Sequence, residues 1–391
     1  MQYDFNRVID RNNTACLKWD CRKENFGTED LIPLWIADMD FPAPPAVTMA
    51  IKERAMHPIY GYTYRTPEFY RAIMDWMKKR HNWEIKKEWL LTTSGVVSAI
   101  KLAVLAYTEP GDQVIIQPPV YPPFFSSVEN NGRQIVLNRL KEENGHYTID
   151  FDQLETLVNA RTKLMILCSP HNPIGRVWTR DELVKIGEFC LRNNILLVSD
   201  EIHSDIIYKD YTHVSIASLD PEIARNTITC IAPSKTFNVA GLATSIVIIP
   251  DKANFDRYNN MMNSIGMGTT NIFGITALTA AYKYGEDWLE ELIDYLQGNL
   301  DFLEKFLIER ISRIKLIKPE GTFLVWLDCR GLGINPKELK SFMNKEAKVG
   351  LNDGRDFGAG GEGFQRMNIA CPRQILKQAL TCMEQAVKKL E

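Results

Sequence analysis

Three polar residues stand just past the ends of three apolar, β-branched runs, and their chemistries complement one another. Lys235 lies in Ala232-Pro233-Ser234-Lys235-Thr236-Phe237-Asn238, after the run Thr227 to Ile231. Asp200 follows Ile195 to Ser199. Asn172 lies in Ser169-Pro170-His171-Asn172-Pro173-Ile174-Gly175-Arg176, after Lys163 to Cys168. A lysine at the rim of a core has its amine partly desolvated, which lowers its pKa, and the deprotonated amine can attack an aldehyde. Taken singly, each residue has an ordinary reading: a surface lysine, an N-cap aspartate, a turn asparagine. Their joint position argues otherwise. If the three runs are parallel strands of one open sheet, an amide, a carboxylate and an amine converge beyond its carboxyl edge, where such sheets bind ligands.

Two further segments extend the set. Ser94-Gly95 opens a helical stretch, Val96 to Tyr107, and the free N–H groups of a helix N-terminus hold phosphate. Pro118-Pro119-Val120-Tyr121-Pro122-Pro123 puts an aromatic on a stiff turn, where Tyr121 can stack on a flat ring. A lysine for an aldehyde, a carboxylate for a pyridine nitrogen, an amide for a phenolate oxygen and a helix end for a phosphate together describe a site for pyridoxal 5′-phosphate.

The elements that must position these residues alternate. Strands are expected at Val114–Ile116, Gln134–Leu137, Lys163–Cys168, Ile195–Ser199 and Thr227–Ile231, and a further apolar run spans Thr244 to Ile249. Helices are expected at Pro67–Asn82, Val96–Tyr107, Pro123–Asn130, Asp150–Val158 and Thr179–Arg192. Asp150/Gln153 and Thr179/Glu182 have capping-box spacing. The pattern predicts an α/β fold with a mostly parallel, seven-stranded-type sheet in a large domain, 46–285. A smaller α+β domain is expected from both termini, 1–45 plus 286–391. It would carry a strand near Thr322–Leu327 and a helix Pro372–Lys389, with residues 1–45 largely irregular.

Composition narrows the function. Of 391 residues, 46 are basic and 49 acidic, giving a net charge of −3 without a basic stripe, so neither nucleic acid nor a membrane surface is an expected partner. No apolar run approaches the ~20 residues of a membrane span. The polar N-terminus and eight cysteines without a CxxC pair suit a reducing, cytoplasmic compartment. Six scattered histidines give no metal-binding spacing. Gly358-Ala359-Gly360-Gly361-Glu362-Gly363 follows no strand, so it reads as a flexible loop ahead of Arg366 rather than a dinucleotide fingerprint.

His171 to Arg176, Ser199-Asp200-Glu201-Ile202-His203-Ser204-Asp205 and Ser234-Lys235-Thr236-Phe237-Asn238-Val239-Ala240-Gly241 resemble fold-type I pyridoxal-phosphate enzymes of the aminotransferase superfamily. Together with Asp38-Met39-Asp40-Phe41 and Tyr60-Gly61-Tyr62, the last two are most similar to the carbon–sulfur β-lyase branch, the aminotransferase-like cystathionine β-lyases. The resemblance covers nearly the whole chain. It implies that Lys235 binds the cofactor aldehyde and acts as the acid/base, with Asp200 on the pyridine nitrogen and Asn172 and His203 at the ring oxygen. It also implies that Tyr121 stacks on the ring and that Gly95, Val96 and Ser234 hold the phosphate. Arg366 and Ala37 would bind substrate, and Tyr62 would reach the phosphate of the neighbouring subunit in a homodimer. Two phosphate-binding positions of aminotransferases are Ala232 and Ala243 here, a departure that fits the lyase branch. The implied reaction is α,β-elimination on L-cystathionine or a related L-cysteine S-conjugate, giving pyruvate, ammonia and a thiol. Transamination remains an alternative, as does a lyase that doubles as a regulatory binding protein.

Overall fold

The run Thr162–Cys168 shows how the central sheet forms. Its residues are apolar in succession, so the strand can be covered on both faces. Leu164, Ile166 and Cys168 enter one core layer with the helix Val96–Tyr107, while Met165 and Leu167 enter another with the helix Arg180–Arg192. This is the two-residue alternation of a strand buried on both sides. Burial of each such side chain contributes about 1.5–3 kcal/mol.

In this computed structural model, which describes residues 3–268 and 271–390, seven strands form one sheet. Their spatial order is Leu90–Thr93, Ser245–Ile248, Thr227–Ile231, Leu196–Asp200, Thr162–Cys168, Gln113–Ile116, Gln134–Leu137. Ser245–Ile248 runs antiparallel to both neighbours and the remaining pairings are parallel. Cys168, Asp200 and Cys230 are in register across three adjacent strands, so the loops beyond them leave from one edge.

A second, antiparallel sheet orders Lys315–Ile317, Leu324–Asp328, Phe364–Asn368 and Asn352–Asp353. The helices Glu286–Arg310 and Arg373–Lys388 pack together beside it. No helix among the described residues is long and apolar enough to cross a membrane.

The first 45 residues hold more structure than expected. Leu17–Asp20 and Arg22–Phe26 are short helices, and Ile32–Pro33 pairs with Val349–Gly350. An ion cluster organises them: the fully buried Lys18 amine lies 2.7 Å from Asp40, and Arg11 lies 2.7 Å from both Asp38 and Asp40. The Thr179 capping box forms in both directions. Asp150 forms only half of one, because the Gln153 side chain accepts from Asn138 instead. The glycine-rich loop is also not loose. A Cβ on Gly361 would lie 1.8 Å from the Gly354 carbonyl oxygen, so the segment folds back on itself too closely for side chains.

Gly175 joins the Asn172 loop to the second sheet's approach. Its φ is +72°, and an added Cβ would lie 2.4 Å from the Pro319 Cβ and 2.8 Å from the Pro319 Cα. Gly175→Ala should therefore lower stability by about 2 kcal/mol or more in urea unfolding. An unchanged unfolding midpoint would contradict this packing.

Candidate active site

A cavity of about 290 Å³ opens at the shared carboxyl edge of the central strands. Ala37, Gly95, Val96, Tyr121, Asn172, Asp200, His203, Ser234 and Lys235 all line it. Arg366 does not line it but reaches it through Asn172. Tyr62 is fully exposed and stands apart from this cavity.

Each side chain arrives on an element the sequence builds locally. Lys235 sits within a one-turn helix, Pro233–Thr236, rather than on an open connection. Its amine donates to the Ala37 carbonyl oxygen at 2.7 Å. Burial, reinforced by the positive charge of Arg366, outweighs the pull of Asp38 and Asp200 and lowers the amine's pKa to about 8. Asp200 is the last residue of its strand rather than the first of the following loop. Burial pushes its carboxyl up to about 7, against the stabilising Ile202 N–H and the Lys235 charge.

The Ala37 carbonyl is held in place by distant groups. Asn368 donates to the carbonyls of Ile36 and Asp38 at 2.6 Å each. Asn238 donates to the carbonyls of Met39 and Phe41 and accepts from the Met39 N–H. Segment 36–41 is thus clamped from both sides, next to the buried Lys18–Asp40 pair.

Arg366 is buried and donates to the Asn172 side chain at 3.0 Å, the Trp35 carbonyl at 3.0 Å and the Asn352 side chain at 2.7 Å. Its guanidinium carbon lies 4.9 Å from the Phe357 ring centroid. Its Nε has no partner among the described residues. Burial brings its pKa down to about 10. Tyr121 is half-buried, with its ring tilted edge-on to Phe124. His203 packs edge-on to Phe323, and burial, with Lys235 and Arg366 adding to it, keeps its imidazole neutral.

The donor set can be tested against pyridoxal 5′-phosphate. Asp200 is a buried carboxyl that accepts one hydrogen bond, from Ile202 at 3.1 Å, and forms no ion pair among the described residues. His203 Nδ1 is buried without a partner among the described residues. A buried acid lacking a counter-ion is costly unless a ligand supplies one, and a protonated pyridine nitrogen does. The helix Val96–Tyr107 also begins at this cavity, with first-turn N–H groups that have no acceptor within the helix. These residues fit the cofactor.

Sequence reasoning missed Ser98 and Thr244, which also line the cavity. Ser98 stands one helical turn beyond Ser94, with their hydroxyl oxygens 3.2 Å apart, so the four-residue spacing was its signal. Thr244 had none, since it lies just before an apolar strand on the far side of Lys235.

Comparisons with known proteins agree with this geometry. The model of aminotransferase class I and II matches residues 29–382. The cystathionine beta-lyase PatB of Bacillus subtilis (strain 168) is 45% identical over 385 residues, covering 98% of this chain and all of that one. Cystalysin from Treponema denticola, whose crystal structure contains pyridoxal 5′-phosphate, superposes with a TM-score of 0.97 at 38% identity, with both chains fully covered. A PLP-bound putative aminotransferase from Clostridium difficile 630 also reaches 0.97, at 45% identity over 98% of this chain and all of its own. With the family model spanning nearly its whole length, the chain belongs to the aminotransferase class I and II family.

Proposed function

We propose that the chain is a pyridoxal-phosphate-dependent carbon–sulfur β-lyase that cleaves L-cystathionine or a related L-cysteine S-conjugate to pyruvate, ammonia and a thiol. The observation that carries this reading is the buried, counter-ion-free Asp200 in one cavity with a lysine whose amine is depressed to about 8. Full-length similarity to a cystathionine beta-lyase supports the reaction class.

When bound, pyridoxal 5′-phosphate supplies an aldehyde for the substrate amine and an aromatic ring that draws electron density from Cα. The remaining work falls to the protein. Lys235, part of whose population is neutral near pH 7–8, takes the Cα proton. Asp200 would hold the pyridine N–H, Asn172 and His203 would serve the ring oxygen, and Tyr121 would cover the ring face. Gly95 and Val96 present backbone N–H groups to the phosphate, and Ser94, Ser98, Ser234 and Thr244 add hydroxyls where Ala232 and Ala243 offer none. Arg366 clamps the substrate carboxylate in a two-pronged contact beside Ala37. The Cβ–S bond then breaks and sulfur leaves with the electron pair as a thiolate. Hydrolysis of the resulting enamine gives pyruvate and ammonia.

A homodimer belongs to this reading. Met56, Ile59, Tyr60, Tyr62 and Tyr64 form an exposed apolar stretch, which supports a second copy covering it and Tyr62 reaching that copy's phosphate. All eight cysteines are free, which supports a reducing, cytoplasmic setting.

L-Cystathionine given to the cofactor-loaded protein should yield pyruvate with no 2-oxoacid present, and Lys235→Ala should lower the rate by about 10³-fold or more. Amino transfer that requires an acceptor would replace this reading with transamination. A second expectation concerns the cofactor-free chain. A carboxyl at about 7 when folded holds its proton to higher pH than the unfolded chain does, so it costs stability as pH rises from about 4 to about 7. Asp200→Asn removes that cost. Its stability gain over the parent should be near zero at about pH 4 and level off above about pH 7 at up to about 4 kcal/mol. A gain independent of pH in urea unfolding would contradict the assignment.

A further inference from the structure

The helix that carries Lys235 cannot hold its own shape. Pro233–Thr236 is a single turn, closed by a bond from the Phe237 N–H to the Pro233 carbonyl at 2.9 Å and followed by one from the Val239 N–H to the Ser234 carbonyl at 3.1 Å. One turn fixes several dihedrals for one hydrogen bond, which is unfavourable without outside support. Two side chains supply that support. Phe237 is fully buried against Trp76, Tyr282 and Trp288. Thr236, also fully buried, donates its hydroxyl to Asp205 Oδ2 at 2.6 Å.

Asp205 is itself tightly held. Its Oδ1 accepts from the Trp76 indole N–H at 3.0 Å and lies 2.9 Å from His81 Nε2, and its backbone carbonyl accepts from Arg80 at 3.1 Å. Burial disfavours its charge, but the bonds and charge from His81 and the bond from Thr236 outweigh that and keep the carboxyl below its usual range. Trp76 serves both supports, with its ring on Phe237 and its N–H on Asp205.

We propose that Asp205 and Thr236 are positioning residues for Lys235, a polar tether that fixes where the lysine amine stands relative to Asp200. Asp205 belongs to the segment that leaves the same strand end as Asp200, five residues on. Its bond to Thr236 therefore ties the lysine's helix directly to the strand that carries the other reacting side of the cavity. Neither residue lines the cavity, so any effect on it is indirect, through the short helix that carries Lys235. The inference rests on the proposed role of Lys235, but its consequence for the free amine does not depend on that role.

The test reads the amine first. In cofactor-free protein, competitive labelling of Lys235 with acetic anhydride across pH, followed by peptide mass spectrometry, gives the midpoint of its titration. Thr236→Val keeps the size of the side chain and removes the donor. It should raise the midpoint by about one pH unit as the amine moves toward solvent, while Thr236→Ser restores the parent value. In loaded protein, Thr236→Val should lower kcat about 10- to 100-fold with KM little changed. A Thr236→Val protein with the parent midpoint and kcat, even if it melts at lower temperature, would overturn the proposal. Should Thr236→Val yield no folded protein, Asp205→Asn is read by the same two measurements with the same outcomes. If the midpoint shifts while no variant, nor the parent, shows pyruvate formation, the tether stands and the lyase reading fails.

Discussion

A carboxyl group buried at a strand end with no ion pair among the described residues is the constraint on which this structure turns. Asp200 sits in the middle of a seven-stranded sheet, in register with Cys168 and Cys230 on either side. Its one hydrogen bond comes from the Ile202 N–H of the following turn, and burial makes its charge expensive. Its pKa near 7 and the lysine's near 8 record one environment acting in opposite directions on an acid and a base. A cavity that depresses an amine and raises a carboxyl suits a ligand that brings its own positive nitrogen and its own aldehyde.

The fold makes that preparation possible through parallel strands. Their loops all leave one edge, so Asn172, Asp200 and Lys235, far apart in sequence, meet at the ends of three adjacent strands. The second sheet and the N-terminal segment then close the far side. Arg366 comes from the strand Phe364–Asn368, and the Ala37 carbonyl from a segment clamped by Asn238 and Asn368. The buried Lys18–Asp40 pair beneath that segment pins it to the chain's beginning. The same logic recurs under Lys235, where Asp205 grips the next residue. Buried polar groups in this protein sit behind the cavity wall and set the positions of the groups that face it.

The sequence made much of this legible, for physical reasons. The central strands are apolar runs bounded by turn residues, and the rule that ligands gather at carboxyl edges converted their order into a site. The helix start at Thr179 was marked by a short polar side chain that does bond to the first turn. Other features left weaker marks. The hairpin Lys141–Glu143 with His146–Thr148 is polar on most positions, so no apolar alternation announced it, although Asn144-Gly145, both at positive φ, is a strong hairpin turn signal. The clamps on segment 36–41 join residues about 200 to 330 apart and follow no local pattern. The tight glycine loop looks flexible in sequence because glycine is equally suited to freedom and to close backbone approach, and only the three-dimensional neighbours distinguish the two.

The central claim is that Lys235 is the residue that engages the cofactor aldehyde, over Asp200 and beside Asn172. The most direct measurement is borohydride reduction of the protein in the presence of pyridoxal 5′-phosphate, followed by proteolysis and mass spectrometry of the peptides. The account predicts a single phosphopyridoxyl group, at Lys235, formed at one equivalent per chain and absent from Asp200→Ala protein at the same cofactor concentration. Labelling scattered over surface lysines, or a protein that takes up no cofactor at all, would contradict it.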